Sequence, residues 1–264
     1  MLVVAETHCR TALNPSRIPG AQWCLNPYRG CGHACVYCYA GCLAVGRGET
    51  RTWGSFVEVR TNFVERLVPQ LRRSPRGTVL LSTLTDPYQA AEGHWGLTAR
   101  CLTVLAPAGL AVSVLTKSDL VLRDVALLRA LPRAAVGFSL TTVDDGLASL
   151  LEPGAPSPSR RLAALRELAR AGVPTWVFVA PVIPGVNDAA ESLARIVQAA
   201  RVAGTRDVAF DPFNFYPSAV SRVRALIDRP AERAVFDRAC RNPAAWRREL
   251  RRSVWTRVRS CLER

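Results

Sequence analysis

The order of apolar and polar residues predicts strands and helices that alternate along most of the chain. Short apolar runs typical of buried strands lie at residues 22–25, 78–83, 111–116, 135–140, 175–180 and 207–211. The segments between them repeat apolar residues every three or four positions, the period of a helix with one buried face. These helical segments lie at residues 62–73, 97–105, 120–131, 159–171 and 188–203. A parallel sheet covered by helices has this order of elements.

Six strands joined by helices predict an α/β fold. A partial (β/α)6 TIM-like barrel accommodates them, with a short N-terminal lead-in and a C-terminal helical extension. A flavodoxin-like open sheet is the structural alternative. The predicted units are an irregular lead-in at residues 1–20, a core barrel at 21–215 and a basic helical extension at 216–264.

Composition narrows the cellular setting. The chain has 264 residues, 49% of them hydrophobic, which is enough for a substantial core and argues against disorder. No apolar run is long enough to cross a bilayer, and the first residues lack the basic and apolar regions of a signal peptide. We therefore expect a cytoplasmic protein without a membrane partner. In that reducing compartment, nine cysteines indicate metal binding rather than disulfides.

Three cysteines near the N-terminus carry the strongest chemical signal. Cys31, Cys35 and Cys38 have the spacing C-x3-C-x2-C within a glycine-containing segment. Three thiolates leave one position of a metal centre open, which is typical of reactive rather than structural sites. A structural zinc site is the alternative, with His33 or Cys42 as the fourth ligand.

Basic residues dominate the charge of the chain. The net charge is +14, Lys117 is the only lysine, and many arginines lie in the last fifth of the sequence. Such charge can serve nucleic acid, a phosphorylated substrate or an acidic partner. A solvated helix face is the alternative explanation.

Polar residues follow each predicted strand. In parallel barrels, reactive groups gather at the C-terminal ends of the strands, so we expect these side chains to surround one site. Asp86 can instead cap the helix that follows it. The candidates at these ends are Thr83, Thr85, Asp86, Lys117, Ser139 and Thr141.

The cysteine motif, with Tyr37 before its last cysteine, resembles the signature of the radical S-adenosylmethionine (SAM) superfamily. The longer run at residues 26–40 resembles the branch grouped with spore photoproduct lyase. The resemblance implies a [4Fe-4S] cluster held by Cys31, Cys35 and Cys38, with SAM bound at the open iron. It also implies that the cluster, reduced by a flavodoxin- or ferredoxin-type partner, cleaves SAM to methionine and a 5′-deoxyadenosyl radical. That radical takes hydrogen from the substrate.

Roles for individual residues follow from the chemistry of SAM and from the resemblance. Lys117 suits the SAM carboxylate as a compact point charge. Arg160 and Arg161 open a helix, and one of them faces either that carboxylate or solvent. The resemblance implies a tyrosine in hydrogen transfer, which Tyr39 matches. The remaining expected contacts are Thr83, Thr85 and Asp86 at the amino group, Ser139 and Thr141 at the ribose or carboxylate, and Tyr37 and Val182 near the adenine.

One feature of the lyase is missing. Spore photoproduct lyase uses a cysteine shortly after its second strand to return hydrogen to the product radical, and residues 82–86 contain none. We therefore expect a radical SAM enzyme with an unknown substrate, and nucleic acid stays open as the substrate class. The alternative function is a zinc-stabilised nucleic-acid-binding module without catalysis.

Overall fold

The computed structural model describes residues 1–46, 48–73 and 75–252. Its strands are β1 (Val3–Thr7), β2 (Asn14–Pro15), β3 (Trp23–Leu25), β4 (Tyr28–Gly30), β5 (Phe56–Arg60), β6 (Thr78–Leu81), β7 (Ala111–Thr116), β8 (Ala134–Ser139), β9 (Thr175–Val182) and β10 (Val208–Pro212). Its α-helices are α1 (Tyr39–Val45), α2 (Phe63–Leu71), α3 (Ala90–Trp95), α4 (Leu97–Leu105), α5 (Val125–Ala130), α6 (Asp145–Leu151), α7 (Pro158–Arg170), α8 (Ala190–Ala203), α9 (Pro217–Leu226) and α10 (Pro230–Arg241). Short 3-10 turns lie at Ala106–Ala108 and Asp119–Asp124, and residues 243–252 are helical.

A seven-stranded sheet confirms the predicted α/β fold. Its order is β10-β9-β8-β7-β6-β3-β2. Six of its strands are parallel, namely β3, β6, β7, β8, β9 and β10. The short β2 pairs antiparallel with β3. The parallel strands follow one another in chain order without the reversal of a flavodoxin-like sheet, so that alternative is wrong. Since β2 and β10 are the two edges of the sheet, the barrel is partial.

The core lies between the parallel strands and the helices that cover them. In β7, Val112, Val114 and Thr116 are buried, and the residues between them are only half-buried. This alternation is the period of a strand with one face on a core. Val112 and Val114 belong to the same hydrophobic cluster as Leu102 of α4 and Leu128 of α5. Thr116 ends the buried row with a hydroxyl at the rim of the sheet.

A second sheet corrects the prediction of an irregular lead-in. β1 pairs in parallel with β5, and β4 pairs antiparallel with β5. Val57 and Val59 of β5 pack with Tyr28 and Leu97 in a small cluster of their own. This sheet matters for the site because β4 leads directly into the first cysteine of the motif.

The limits of the predicted units at residues 20 and 215 stay predictions. The last strand ends at Pro212, and α9 begins at Pro217. The arginine-rich end of the predicted extension, residues 253–264, lies outside the described residues. Within the described part of the chain, no helix is both long and apolar enough to cross a membrane.

Candidate cofactor site

The three cysteines of the motif lie in the loop between β4 and α1. Cys31 and Cys35 are buried, and Cys38 is half-buried. Between them Ala34 has a φ of +53°, a left-handed conformation that side chains other than glycine adopt rarely. This local turn folds the loop back on itself, as converging thiols require.

The three thiols of the loop are desolvated and act on one another as charges. Burial raises the pKa of all three, that of Cys31 to about 12. Cys38 further raises the pKa of Cys31, and Cys38 and Cys31 both raise that of Cys35. Lys117 lowers the pKa of Cys35 and Cys38. Three desolvated thiols in one loop, with a cation beside them, fit a cubane that keeps one iron open.

The contacts of the two candidates for a fourth zinc ligand go to groups other than the three thiols, and the Cys42 thiol also donates to the Cys38 backbone carbonyl at 3.8 Å. His33 Nδ1 lies 3.4 Å from Asp86 Oδ2, and Cys42 Sγ lies 2.8 Å from Ser218 Oγ on α9. Nowhere in residues 1–46, 48–73 and 75–252 do three or more His, Cys, Asp or Glu side chains come close enough to hold one metal ion. The thiolates of a cubane each bind a different iron, so they do not have to meet at one point.

The segment after β6 is fixed to the rim by hydrogen bonds. Asp86 accepts from the Thr116 hydroxyl at 2.6 Å and from the Lys117 backbone N–H at 2.8 Å. The Thr85 hydroxyl donates to the Gly30 carbonyl at 2.6 Å. Both side chains thus hold the ends of β4, β6 and β7 together. Their contact with the SAM amino group stays a prediction.

A buried polar network lies behind the cysteine loop. The Tyr37 hydroxyl donates to Glu152 and lies 3.0 Å from Thr141 Oγ1, which itself donates to Glu152 at 2.8 Å. Glu152 pairs with Arg161, and both side chains are 1% exposed. Arg161 also donates to the Ser139 carbonyl at 3.0 Å. The structure therefore brings the predicted residues Tyr37, Ser139 and Thr141 together.

Lys117, which follows β7, lies next to Tyr37 of this network. Its Nζ lies 5.8 Å from the centre of the Tyr37 ring, over the ring face. Burial lowers the pKa of Lys117, but Cys35 and Glu152 raise it, and the net change is upward. Neighbouring negative groups thus favour the charged form of Lys117. Within the described part of the chain, no carboxylate pairs with it as a salt bridge.

Arg160 is the predicted site residue that lies apart. Its side chain is 64% exposed and pairs with Asp119 at 2.6 Å. The helical period of α7 turns the next residue, Arg161, inward, and Arg161 takes the buried position instead. Sequence reasoning also missed Glu152, its partner. The sequence signal that could have indicated Glu152 is its position as a lone carboxylate directly before the Pro153-Gly154 turn.

The remaining predicted residues border the loop or back it. The Tyr39 hydroxyl donates to the Thr83 carbonyl, and burial raises the pKa of Tyr39 to about 12. Val182 ends β9 and is fully buried in the hydrophobic core. Hydrogen transfer by Tyr39 and packing of Val182 beside adenine stay predictions.

Comparison with known proteins decides the family. The model of the Radical SAM superfamily matches residues 25–197, which include the cysteine loop and the parallel strands through β9. The chain belongs to the radical SAM superfamily. The cofactors of this superfamily are a [4Fe-4S] cluster and SAM, and the donor set of the loop fits that cluster.

Individual proteins are also similar to this radical SAM protein in sequence. It is similar to an uncharacterised protein of Mycobacterium tuberculosis (strain H37Rv), 36% identical over 217 residues, which are 77% of this chain and 63% of the relative. It is also similar to the radical SAM Nα-GlyT isomerase of Pseudomonas phage M6, 28% identical over 162 residues, which are 61% of this chain and 33% of the isomerase. The chain thus spans less than two thirds of the length of either relative.

A spore photoproduct lyase structure shares the fold. A double mutant of this lyase, with bound AdoMet and dinucleoside spore photoproduct, matches with a TM-score of 0.67 and 19% identity. The match covers 97% of this chain and 79% of the lyase. The likeness to spore photoproduct lyase suggested by residues 26–40 therefore extends to the fold of the chain.

Proposed function

We propose that the chain is a radical SAM enzyme in which Cys31, Cys35 and Cys38 hold the [4Fe-4S] cluster. The observation that carries this proposal is the turn that holds the three cysteines in one loop. In that loop the Ala34 N–H donates to the Cys31 carbonyl at 3.4 Å and the Cys38 N–H donates to the Cys35 carbonyl at 3.2 Å. When bound, the reduced cluster supplies the electron that cleaves SAM to methionine and a 5′-deoxyadenosyl radical, which takes a hydrogen atom from the substrate. The electron comes from a flavodoxin- or ferredoxin-type donor, in the cytoplasm.

The residues around the loop bind and orient SAM in this proposal. Lys117 contacts the SAM carboxylate in this proposal, because its ammonium lies over the Tyr37 ring, within electrostatic reach of Cys35, and forms no salt bridge with a carboxylate of the described residues. Thr141 and Ser139 line the end of β8 next to Tyr37. Tyr37 is held by Glu152 and Thr141, so its ring has one fixed orientation beside the cluster ligands. A fixed ring suits the positioning of the adenine.

Tyr39 is the proposed hydrogen-transfer residue. Its hydroxyl lies against the carbonyl of Thr83, within the stretch 82–86 where the lyase-like pattern would place a cysteine. Since residues 82–86 contain no cysteine, we do not assign spore photoproduct repair to this chain.

Nucleic acid is the proposed substrate class. The net charge of +14 attracts a polyanion over long range. The lyase structure of the same fold holds a dinucleoside. The zinc-module alternative receives no comparable support, since His33 and Cys42 have other contacts.

A SAM cleavage assay tests the proposed reaction. Anaerobically reconstituted protein, mixed with SAM and dithionite, is expected to release 5′-deoxyadenosine, measured by liquid chromatography. Cys35→Ala is expected to abolish the product, and Cys42→Ala to retain it. A wild-type protein that makes no 5′-deoxyadenosine, or a Cys35→Ala variant with the full rate, would refute the proposal.

A further inference from the structure

A cavity of about 600 Å³ lies next to the cysteine loop, between the N-terminal segment and α1. One side of it is formed by Asn26, Gly30 and Thr83, which adjoin the loop. Residues 7–11 and Arg60, the last residue of β5, complete the lining, and Arg60 lies next to Asn26. A volume of this size is typical of sites for small organic ligands, about 300–1,000 Å³.

The wall of this cavity is positively charged. Arg10, Arg29 and Arg60 line it, and Glu58 is the one carboxylate that the described residues contribute. Glu58 is already bound, because Arg29 lies 3.1 Å from it and Arg51 pairs with it as well. Arg10 and Arg60 line the same cavity, and neither forms a salt bridge with a carboxylate of the described residues, although the Glu58 charge acts on Arg60 from farther away.

Of the two cations, Arg60 gives the stronger evidence for a bound anion. Its side chain is half-buried, and its Nη1 donates to the Asn26 carbonyl at 2.8 Å. Burial lowers the pKa of Arg60, and among the described residues no carboxylate forms a salt bridge with it. A partly desolvated cation that makes no salt bridge is stabilised when an anion binds beside it. A guanidinium matches phosphate oxygens in paired hydrogen bonds.

The cavity also connects to the proposed hydrogen-transfer residue. The Asn26 side chain accepts from the backbone N–H groups of Thr83 and Leu84, both at 3.0 Å. The Thr83 carbonyl in turn accepts from the Tyr39 hydroxyl. Asn26 and Thr83 therefore link Arg60 to Tyr39. The cavity therefore adjoins Thr83, which contacts Tyr39, and Gly30, which precedes Cys31.

We propose that this cavity binds a phosphate of the substrate, with Arg60 and Arg10 as its cationic contacts. The proposal rests on the nucleic-acid substrate proposed above and names where one of its phosphates is held. The recognised chemistry is a phosphate oxyanion. A phosphodiester within a strand and free inorganic phosphate both supply it.

Binding of a short single-stranded oligodeoxynucleotide, labelled with fluorescein, tests the site. Fluorescence anisotropy of the reconstituted protein is measured as a function of salt for wild type, Arg60→Gln, Arg10→Gln and Arg133→Gln. Arg133 is an exposed arginine just before β8, at the opposite end of the barrel, so its replacement removes the same charge elsewhere. Arg10 is exposed, so Arg10→Gln tests the site even if Arg60→Gln fails to fold.

Arg60→Gln and Arg10→Gln are each expected to weaken binding about fivefold or more and to reduce the salt slope by about one. Arg133→Gln is expected to change affinity less than about twofold. Equal effects of all three replacements, or no binding by wild type, would overturn the proposal. Competition identifies the source: a dinucleotide with one phosphodiester should displace the probe at lower concentration than inorganic phosphate does. Equal displacement by the unphosphorylated nucleoside would also overturn it.

The two proposals fail separately. A wild-type protein that makes 5′-deoxyadenosine but binds no oligonucleotide contradicts the phosphate site alone. A protein that binds the oligonucleotide through Arg10 and Arg60 but never cleaves SAM keeps the site and contradicts the proposed reaction.

Discussion

Glu152 and Arg161 form an ion pair that is almost fully enclosed, with both side chains 1% exposed. Glu152 follows α6, and Arg161 lies in the first turns of α7. Glu152 also accepts from Tyr37 in the cysteine loop, and Arg161 donates to the Ser139 carbonyl at the end of β8. The ion pair therefore connects the proposed cluster loop to the sheet.

Backbone hydrogen bonds join the same two segments. The Val36 N–H donates to the Leu151 carbonyl at 2.9 Å, and the Gly154 N–H donates to the His33 carbonyl at 3.0 Å. The cysteine loop thus rests on residues 151–154 through main chain and side chain together. Substitutions in residues 151–154 are therefore expected to alter the position of the cysteines.

Replacing one partner of the ion pair is expected to lower the free energy of unfolding substantially. Glu152→Gln leaves the buried Arg161 charge uncompensated, and we expect the free energy of unfolding to fall by about 3–5 kcal/mol. Urea denaturation followed by circular dichroism measures it. The matched control is Arg160→Gln, which breaks the exposed pair with Asp119 and is expected to cost about 0–1 kcal/mol. Equal losses in the two variants would show that the buried pair has no special role.

The same carboxylate predicts how stability depends on pH. Burial raises the pKa of Glu152, but Arg161 and Lys117 lower it more, so the net pKa lies below the ordinary value. A glutamate in the unfolded chain titrates at about pH 4.3. The contribution of Glu152 is therefore complete above that pH and is lost as pH falls through the lower folded pKa. In an acid titration followed by circular dichroism, Glu152→Gln should show a shallower dependence than wild type. Parallel curves would contradict this sign.

Gly154 is expected to tolerate no side chain. A Cβ at this position would lie 2.1 Å from the Gly32 carbonyl oxygen in the cysteine loop. Gly154→Ala should therefore lower stability by about 1–3 kcal/mol and reduce the iron bound after reconstitution. Gly46→Ala is the control, because its nearest neighbours would be 3.7 Å away and its φ is −62°. It should be neutral or stabilising by about 0.4–1 kcal/mol, and a similar loss in both variants would argue against a tight contact at Gly154.

Lys117 is expected to contribute strongly to SAM binding. Removing a charged hydrogen bond costs about 1.5–3 kcal/mol, so Lys117→Ala should raise the Kd for SAM about tenfold or more in calorimetry of the reconstituted protein. Lys117→Arg should restore affinity only in part, because the guanidinium is larger and planar. Arg160→Ala should leave the Kd unchanged, since Arg160 pairs with Asp119 at the surface. An unchanged Kd in Lys117→Ala would remove Lys117 from the SAM contacts.

The regular elements of the barrel were predictable where local pattern decides them. β7 and α4 have the predicted limits, because a buried strand and an amphipathic helix leave clear periods in the sequence. β1 was missed, since four of its five residues are exposed and none is buried. α6 was missed although Asp144 caps it by accepting from the Leu147 N–H. The helix predicted at residues 120–131 begins instead as the 3-10 turn Asp119–Asp124 and continues as α5.

The candidate site, like the fold, was predictable only where local sequence signals decide it. The cysteine spacing and the polar strand ends are local signals, and the structure brings Tyr37, Ser139, Thr141 and Lys117 to one place. The burial of Glu152 depends on Arg161 and on a loop more than a hundred residues earlier. Which of two adjacent arginines turns inward depends on how α7 is rotated against the sheet, and the sequence pattern did not resolve it.

The most direct test is the iron and acid-labile sulfide content of anaerobically reconstituted protein. About four irons per chain are expected for wild type, together with the brown colour of a cubane. Cys31→Ala, Cys35→Ala and Cys38→Ala should each lose the cluster, and Cys42→Ala and Cys24→Ala should retain it. A colourless protein with one zinc per chain, or a Cys42→Ala variant that loses metal along with Cys31→Ala, would contradict the account.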